Sequence, residues 1–241
     1  MRVFTKKYTI TFEDVTDKLE LKNISLMKYL VDAAGMHSET VGYGLSTIDK
    51  THIVFLLVGW KVKILENPHL LDEIEIRTWA ENLSHSLSVR NFEVYIKDKL
   101  VALASTKWIM VNQKDHSVAI VTEEIENAYG PVNKKVFDEP IPKLHIPEKV
   151  DKTKEYTIER RDIDSNKHVN NLKYLEIALE LLSDDDYSET DFSEITVNYK
   201  NECKLHHDVL CSYTKISDFE HVIVVQSIDK TKLHAIIKLK K

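Results

Sequence analysis

Three polar side chains stand at alternate positions in one short stretch of this sequence: Asp164, Asn166 and His168. The full run reads Arg160-Arg161-Asp162-Ile163-Asp164-Ser165-Asn166-Lys167-His168-Val169-Asn170-Asn171-Leu172-Lys173-Tyr174. If it is extended, alternate side chains emerge on one face, so a carboxylate, an amide and an imidazole converge. A helical pattern follows at once. The start of a helix offers backbone N–H groups without intrahelical acceptors and a partial positive charge, which suits a carbonyl oxygen gaining negative charge. That set fits acyl transfer. The same residue types also fit a plain turn and helix cap, since Asp, Asn and Ser favour both.

Two helices and several strands must carry this cluster. Leu172, Leu175, Leu179 and Leu182 fall on one helical face behind the capping residues Asn170 and Asn171. Earlier, Leu26, Leu30 and Ala33 or Ala34 do the same, with Asn23 or Ser25 as the cap. Gly35 either ends that helix or is tolerated inside it. Ile74, Ile76 and Thr78 alternate with Glu73, Glu75 and Arg77, and Leu233, Ala235, Ile237 and Leu239 alternate with polar neighbours. Segments 52–65, 86–97, 100–112, 193–202, 209–217 and 221–229 also read as strands. A helix followed by antiparallel strands, twice over, predicts an α+β architecture in which each sheet wraps a helix.

The repetition is visible in the residues. Lys6-Lys7-Tyr8-Thr9-Ile10 is echoed by Lys154-Glu155-Tyr156-Thr157-Ile158, and Met27-Lys28-Tyr29-Leu30 by Leu172-Lys173-Tyr174-Leu175. Glu66 and Asp72 pair with Glu202 and Asp208 on the same reading. In the first copy, Asp14-Val15-Thr16-Asp17-Lys18-Leu19 occupies the region of the cluster, keeping Asp14 but no Asn-x-His. An internal duplication follows. Pro131, Pro140, Pro142 and Pro147 lie close together, so Gly130 to Lys149 reads as an extended connector. The expected organisation is a first domain over residues 1–130, a linker over 131–150 and a second domain over 151–241.

Composition removes several classes of function. Of 241 residues, 43% are apolar and 30% charged, the balance of a globular protein. The longest apolar run, Ile53 to Gly59, is far short of a membrane span. Met1 to Tyr8 has no apolar signal region, so a cytoplasmic protein is expected. A net charge of −6 argues against generic nucleic-acid binding. The five glycines form neither GxGxxG nor a P-loop. Cys203 and Cys211 cannot make a disulfide framework. His206 and His207, with Asp208 and His221 nearby, make a poor chelate because adjacent strand residues face opposite ways, so no metal is expected.

The spacing Asp164-x-Asn166-x-His168-Val169-Asn170-Asn171-x-x-Tyr174 resembles the signature of the acyl-acyl carrier protein (ACP) thioesterases, the tandem hot-dog family of plant plastids and some bacteria. Tyr199-Lys200-Asn201-Glu202-Cys203 resembles that family's strand ending in Glu-Cys. The first half joins through Gly42-Tyr43-Gly44, the strand containing Trp60, Asp72-Glu73-Ile74 and Thr78-Trp79. The resemblance implies two tandem hot-dog domains, each an antiparallel sheet around a central helix. It implies hydrolysis of fatty acyl-ACP to free fatty acid and carrier thiol, without a cofactor. The catalytic roles fall on Asp164, Asn166, His168 and Glu202, with Cys203 at the position of a proposed thiol nucleophile.

Glu202 and Cys203 are neighbours on a predicted strand and so point apart. Buried cysteine is the common fate in intracellular proteins, and no cationic group is dedicated to activating this one. Glu202 is preferred. In the expected mechanism, Asp164 or Glu202 takes a proton from water, His168 relays or donates one to the departing thiol, and Asn166 orients the water or a carboxylate. The backbone N–H groups of Val169 and Asn170 are expected to hold the oxyanion. Attack by a carboxylate through an anhydride is the less favoured variant.

Lys149, Lys152, Lys154, Arg160, Arg161, Lys167, Lys200 and Lys204 concentrate around the cluster. They read either as solvated surface or as a docking patch for an acidic carrier protein, steering encounter more than setting affinity. Met27, Leu30, Val31 and Met36 read as acyl-tunnel lining or as plain core. His37, His52 and His85 read as structural or exposed. An acyl-CoA thioesterase and a non-catalytic acyl-binding protein are the rival functions, and a homodimer is left open.

Overall fold

Apolar residues three and four apart make the first helix, α1 (Asn23–Thr40), and the structure buries that stripe through Leu26, Met27, Leu30, Ala33 and Ala34. This computed structural model describes residues 2–164 and 167–241. The chain divides into two units, Met1–Ile141 and Pro142–Lys241.

In the first unit, β1 (Phe4–Thr9) is followed by α1, a short α2 (Ile48–Thr51), β2 (Ile53–Ile64), β3 (Glu73–Ser84), β4 (Leu87–Ile96), β5 (Lys99–Asn112) and α3 (Glu123–Tyr129). The strands lie in the order β1-β3-β4-β5-β2, antiparallel throughout, and α1 packs on β1 and β3. Gly35 is tolerated inside α1, on its exposed side, and the helix starts one residue after Lys22 rather than after Asn23 or Ser25.

The second unit has β6 (Lys152–Thr157), α4 (Asn171–Leu179), β7 (Glu194–Tyr199), β8 (Asp208–Ser217), β9 (Glu220–Ser227) and β10 (Leu233–Lys240). Its order is β6-β8-β9-β10-β7, the same path as in the first unit, and α4 packs on β10. Leu172, Leu175 and Leu179 are buried as their spacing predicts, and Leu182, also buried, lies beyond the end of α4. The architecture is α+β, an antiparallel sheet against a helix in each unit.

The proline-containing segment has no helix or strand between Tyr129 and Lys152, yet it is held to the protein along its length. Val132 donates to the Ala80 carbonyl at 2.8 Å and the Trp79 indole to that of Lys134 at 2.8 Å. Further on, Leu144 donates to Asn198 Oδ1 at 2.8 Å. Proline supplies no N–H for a ladder, so these bonds come from the residues between the prolines.

Both units bury a basic side chain at the same place in the β-ladder. In the first, Arg90 stands opposite Ala80. Its guanidinium meets His37 Nδ1 at 2.9 Å and Thr78 Oγ1 at 3.2 Å, and burial pushes its pKa down to about 10. In the second, His221 stands opposite Lys215, with Nδ1 2.9 Å from the Tyr213 hydroxyl. His37 is therefore structural and fully buried. Of the other side chains read as tunnel lining or core, Met27 and Leu30 are fully buried, whereas Met36 is 40% exposed.

Candidate active site

The polar cluster sits on a loop built by its own main chain. After β6, a 3-10 turn (Arg160–Asp162) ends in Asp162, a buried carboxylate that accepts from the Glu159 N–H at 2.8 Å and the Tyr156 hydroxyl at 2.8 Å. Asp164 N–H then donates to the His168 carbonyl at 2.9 Å, and Lys167 N–H to the Asp164 carbonyl at 3.1 Å. Lys167 takes a left-handed φ of 64° to close this turn. Asn170 caps α4 by accepting from the Leu172 N–H at 2.9 Å. Main-chain bonds thus bring Asp164 and His168 together, instead of spacing them along one extended face.

His168 and Glu202 meet, with Nε2 3.1 Å from Oε2 and side-chain exposures of 33% and 48%. A carboxylate accepting from Nε2 leaves Nδ1 as the basic nitrogen of a neutral imidazole. Asp164 Oδ1 accepts from the His168 backbone N–H at 3.3 Å, so it steadies the residue whose ring Glu202 orients. Asn166 lies outside the described residues.

Glu202 and Cys203 are not on a strand. β7 ends at Tyr199, and Glu202 and Cys203 follow in irregular chain. Lys200 and Asn201 still donate to the carbonyls of His234 and Leu233, at 2.9 and 3.2 Å, before the chain leaves the sheet. The two side chains nevertheless point apart, for Cys203 is fully buried and burial pushes its thiol pKa up.

The expected oxyanion donors are occupied. Val169 N–H donates to the Cys203 carbonyl at 3.4 Å and Asn170 N–H to the Asp162 carbonyl at 2.8 Å. Beside the Ile163–Val169 β-bridge, the Asn170 amide turns into the loop, while the Val169 amide meets the chain that returns at Cys203. Among the described residues, no group of three His, Cys, Asp or Glu side chains is arranged to hold a metal ion. His206 adopts a left-handed φ of 65° in the turn before β8, and His221 is buried in β9. Sequence reasoning passed over Tyr156 and Asp162. No sequence signal marked them: the first copy's Asp14 accepts from Tyr29 of α1 at 2.6 Å, whereas Tyr8, the counterpart of Tyr156, bonds to Asp32.

The first unit contains the same loop with other side chains. Val15 bridges Leu21 as Ile163 bridges Val169. Thr16 N–H donates to Glu20 O at 2.9 Å, Leu19 N–H to Thr16 O at 3.0 Å and Lys22 N–H to Asp14 O at 2.9 Å. Leu19 has a φ of 62° where Lys167 has 64°. Asp14 therefore answers to Asp162, not to the Asp164 of the cluster, and Thr16 and Glu20 stand where Asp164 and His168 do. Downstream, Leu21 N–H donates to Pro68 O as Val169 N–H does to Cys203 O, so the counterpart of Glu202 is Asn67.

The pairing of Glu66 with Glu202 and of Asp72 with Asp208 is one residue out of register. Glu73 and Asp208 are the residues that begin β3 and β8. Counted from the helix starts, Tyr29 answers to Ile177, so the Met27–Leu30 echo is out by three residues. A slip of about one 3.6-residue turn preserves the apolar face, so the echo pairs residues on the same side of each helix.

The chain matches two family models: the acyl-ACP thioesterase N-terminal domain over residues 1–129 and the C-terminal domain over 146–241. It is 25% identical over 213 residues to an oleoyl-acyl carrier protein thioesterase of Coriandrum sativum, a match covering 79% of this chain and 56% of that protein. It is 26% identical over 235 residues to a dodecanoyl-[acyl-carrier-protein] hydrolase of Cinnamomum camphora, covering 89% and 60%. The chain thus spans a little over half the length of these curated relatives. Its fold is that of an acyl-ACP thioesterase from Bacteroides thetaiotaomicron, with a TM-score of 0.86 at 22% identity over 99% of this chain and 97% of that one. A 12:0-ACP thioesterase from Umbellularia californica gives 0.82 at 18%, over 99% and 95%. With family models covering nearly its whole length, the chain belongs to the acyl-ACP thioesterase family.

Proposed function

We propose that this protein hydrolyses fatty acyl-ACP to a free fatty acid and the carrier thiol, and that the second unit carries the chemistry. The observation that bears most weight is the 3.1 Å His168–Glu202 pair, half-exposed, beside a fully buried Cys203. Glu202 takes a proton from the attacking water as its oxygen bonds to the thioester carbon. The carbon–sulfur bond then breaks, and a proton passes through His168 to the leaving sulfur. Asn166 orients the water or a carboxylate. Asp164 holds the His168 main chain. Cys203 takes no part, because a buried thiol with a raised pKa supplies little thiolate.

Carrier recognition is assigned to the basic rim of the same unit. Arg160, Lys167, Lys200 and Lys204 are exposed and flank the loops of His168 and Glu202. Lys149 and Arg161 already pair with Asp151 and Glu159. The first unit is assigned to the acyl chain. It has an apolar group in which half-buried Val41, Tyr43, Ile53 and Phe55 pack on Leu83, Met110, Ile125 and Tyr129.

The test is thiol release from a panel of acyl-ACP and acyl-CoA thioesters by the parent, Glu202→Gln, Asp164→Asn and Cys203→Ala. Hydrolysis of acyl-ACP that Glu202→Gln lowers by about 10³-fold and Cys203→Ala preserves supports the reading. Loss confined to Cys203→Ala restores a thiol nucleophile. Preference for acyl-CoA removes the carrier protein, and acyl binding without thiol release removes catalysis.

A further inference from the structure

The loop carrying Glu202 is fastened to the loop carrying His168 by two buried tyrosines. Tyr199 is the last residue of β7, three before Glu202, and its hydroxyl donates to the Asn171 carbonyl in the first turn of α4 at 2.8 Å. Tyr174 lies in that same helix, and its hydroxyl meets the main chain of Cys203, next to Glu202. The two rings pack together with centroids 5.7 Å apart. Tyr199 thus bonds from the end of β7, just before Glu202, to the start of α4, just after His168, and Tyr174 of α4 packs on its ring beside the Cys203 main chain. Burial pushes both phenols far up, so both keep their protons.

The first unit shows what the fold alone requires at these two places. Counted from the helix start, Tyr174 answers to Leu26, and counted from the strand end, Tyr199 answers to Ile64. Leu26 and Ile64 are buried, as are Tyr174 and Tyr199. An apolar pair is therefore enough to close this corner of the fold. The hydroxyls occur in the unit that has the His168–Glu202 pair.

We infer that Tyr174 and Tyr199 are positioning residues that set the separation of His168 and Glu202, an inference that rests on the thioesterase reading of this site. A shift of about 1 Å in such a pair is enough for a large loss of rate. Neither hydroxyl needs to touch substrate. Removing them should lower kcat and leave KM alone.

The experiment measures kcat and KM on a saturated acyl-ACP, and Tm, for Tyr174→Phe, Tyr199→Phe and the first unit's own pair, Tyr174→Leu with Tyr199→Ile. Each is made with Glu202 present and with Glu202→Gln. The expected result is about a tenfold loss of kcat for each Phe variant at unchanged KM. With Glu202→Gln the same changes should cost less than about twofold, because the geometry they protect has lost its base. Parental kcat in both Phe variants, or equal losses in the two backgrounds, overturns the inference. Should the Leu/Ile variant not fold, the Phe variants still decide. Should the parent release no thiol, the thioesterase reading fails by itself, and a crystal structure of the double Phe variant decides here instead. An opened His168–Glu202 contact supports the inference and an unchanged one overturns it.

Discussion

The loop from Asp14 to Lys22 and the loop from Asp162 to Asn170 share their β-bridge, their main-chain hydrogen bonds and a left-handed residue at the same place, Leu19 or Lys167. Their side chains diverge. Thr16, Lys18 and Glu20 stand in one where Asp164, Asn166 and His168 stand in the other, and Asn67 stands where Glu202 does. The rims diverge as well. Phe12, Leu65 and Leu71 are exposed at the positions of Arg160, Lys200 and His206. The scaffold tolerates either set, since main-chain bonds and a hydrogen-bonded carboxylate, Asp14 or Asp162, hold the loop. In the first copy, burial alone would raise the Asp14 carboxyl, but hydrogen bonds from Thr11, Tyr29 and Ser25 outweigh it and hold the pKa below the usual value. Polar chemistry at this loop is therefore an addition to the fold and not part of its support.

Converting the second copy into the first, residue by residue, tests that separation. Glu202→Asn, the first copy's residue, should lower kcat/KM by about 10³-fold, the scale of a lost general base, with Tm close to the parent. A large fall in Tm would instead make Glu202 part of the support. Reversing the rim comes next. Arg160→Glu with Lys167→Glu should raise KM for acyl-ACP roughly tenfold at low salt, leave kcat unchanged and lose most of its effect at high salt. An equal rise for acyl-CoA would place the rim's role on the thioester and not on the carrier.

The buried basic residues give a smaller, pH-dependent contrast. Arg90 stays charged across the working range, whereas His221 titrates. Burial lowers the His221 pKa, opposed by Asp186 and assisted by Lys215 and Lys241. The unfolded chain then binds its proton at a higher pH than the folded one. Stability is present above the ordinary histidine value of about 6.5 and is lost as pH falls below it. Thermal melts between pH 7 and 5 should show this slope in the parent and a reduced one in His221→Asn. An unchanged slope would assign the acid sensitivity to other groups.

The smallest effect is expected from the first copy's rim. Phe12→Arg with Leu71→His should leave kcat/KM within about twofold of the parent, as surface changes away from a site usually do. A larger loss would give this rim a part in the reaction.

Much of this was legible in the residues. Period-two alternation marked the strands from Glu73 and from Leu233, and the leucines of α4 marked its buried face, because local periodicity reports which side meets the core. The Asp-x-Asn-x-His run and the Glu-Cys pair identified the family, as residue types at fixed spacing can. Periodicity was a poor guide to register. Tyr29 was matched to Tyr174 through a three-residue slip, and Glu66 to Glu202 through a slip of one. The first slip preserves a helical face, whereas the second rests on matching acid to acid, and a shift of one would reverse a period-two pattern.

The sequence by itself determined the duplication, the α+β class, the family and the candidate side chains Asp164, Asn166, His168 and Glu202, because each rests on residue identity and local spacing. Tertiary structure decided what those side chains meet. It joined His168 to Glu202 across a separation in sequence that no local pattern spans, and it buried Cys203 while leaving its neighbour exposed. It also turned the Val169 and Asn170 amides inward, to the carbonyls of Cys203 and Asp162. Hydrogen-bond partners are set by where the chain returns in space. One strand end and one helix start, fixed by the packing of the second unit, decide that return.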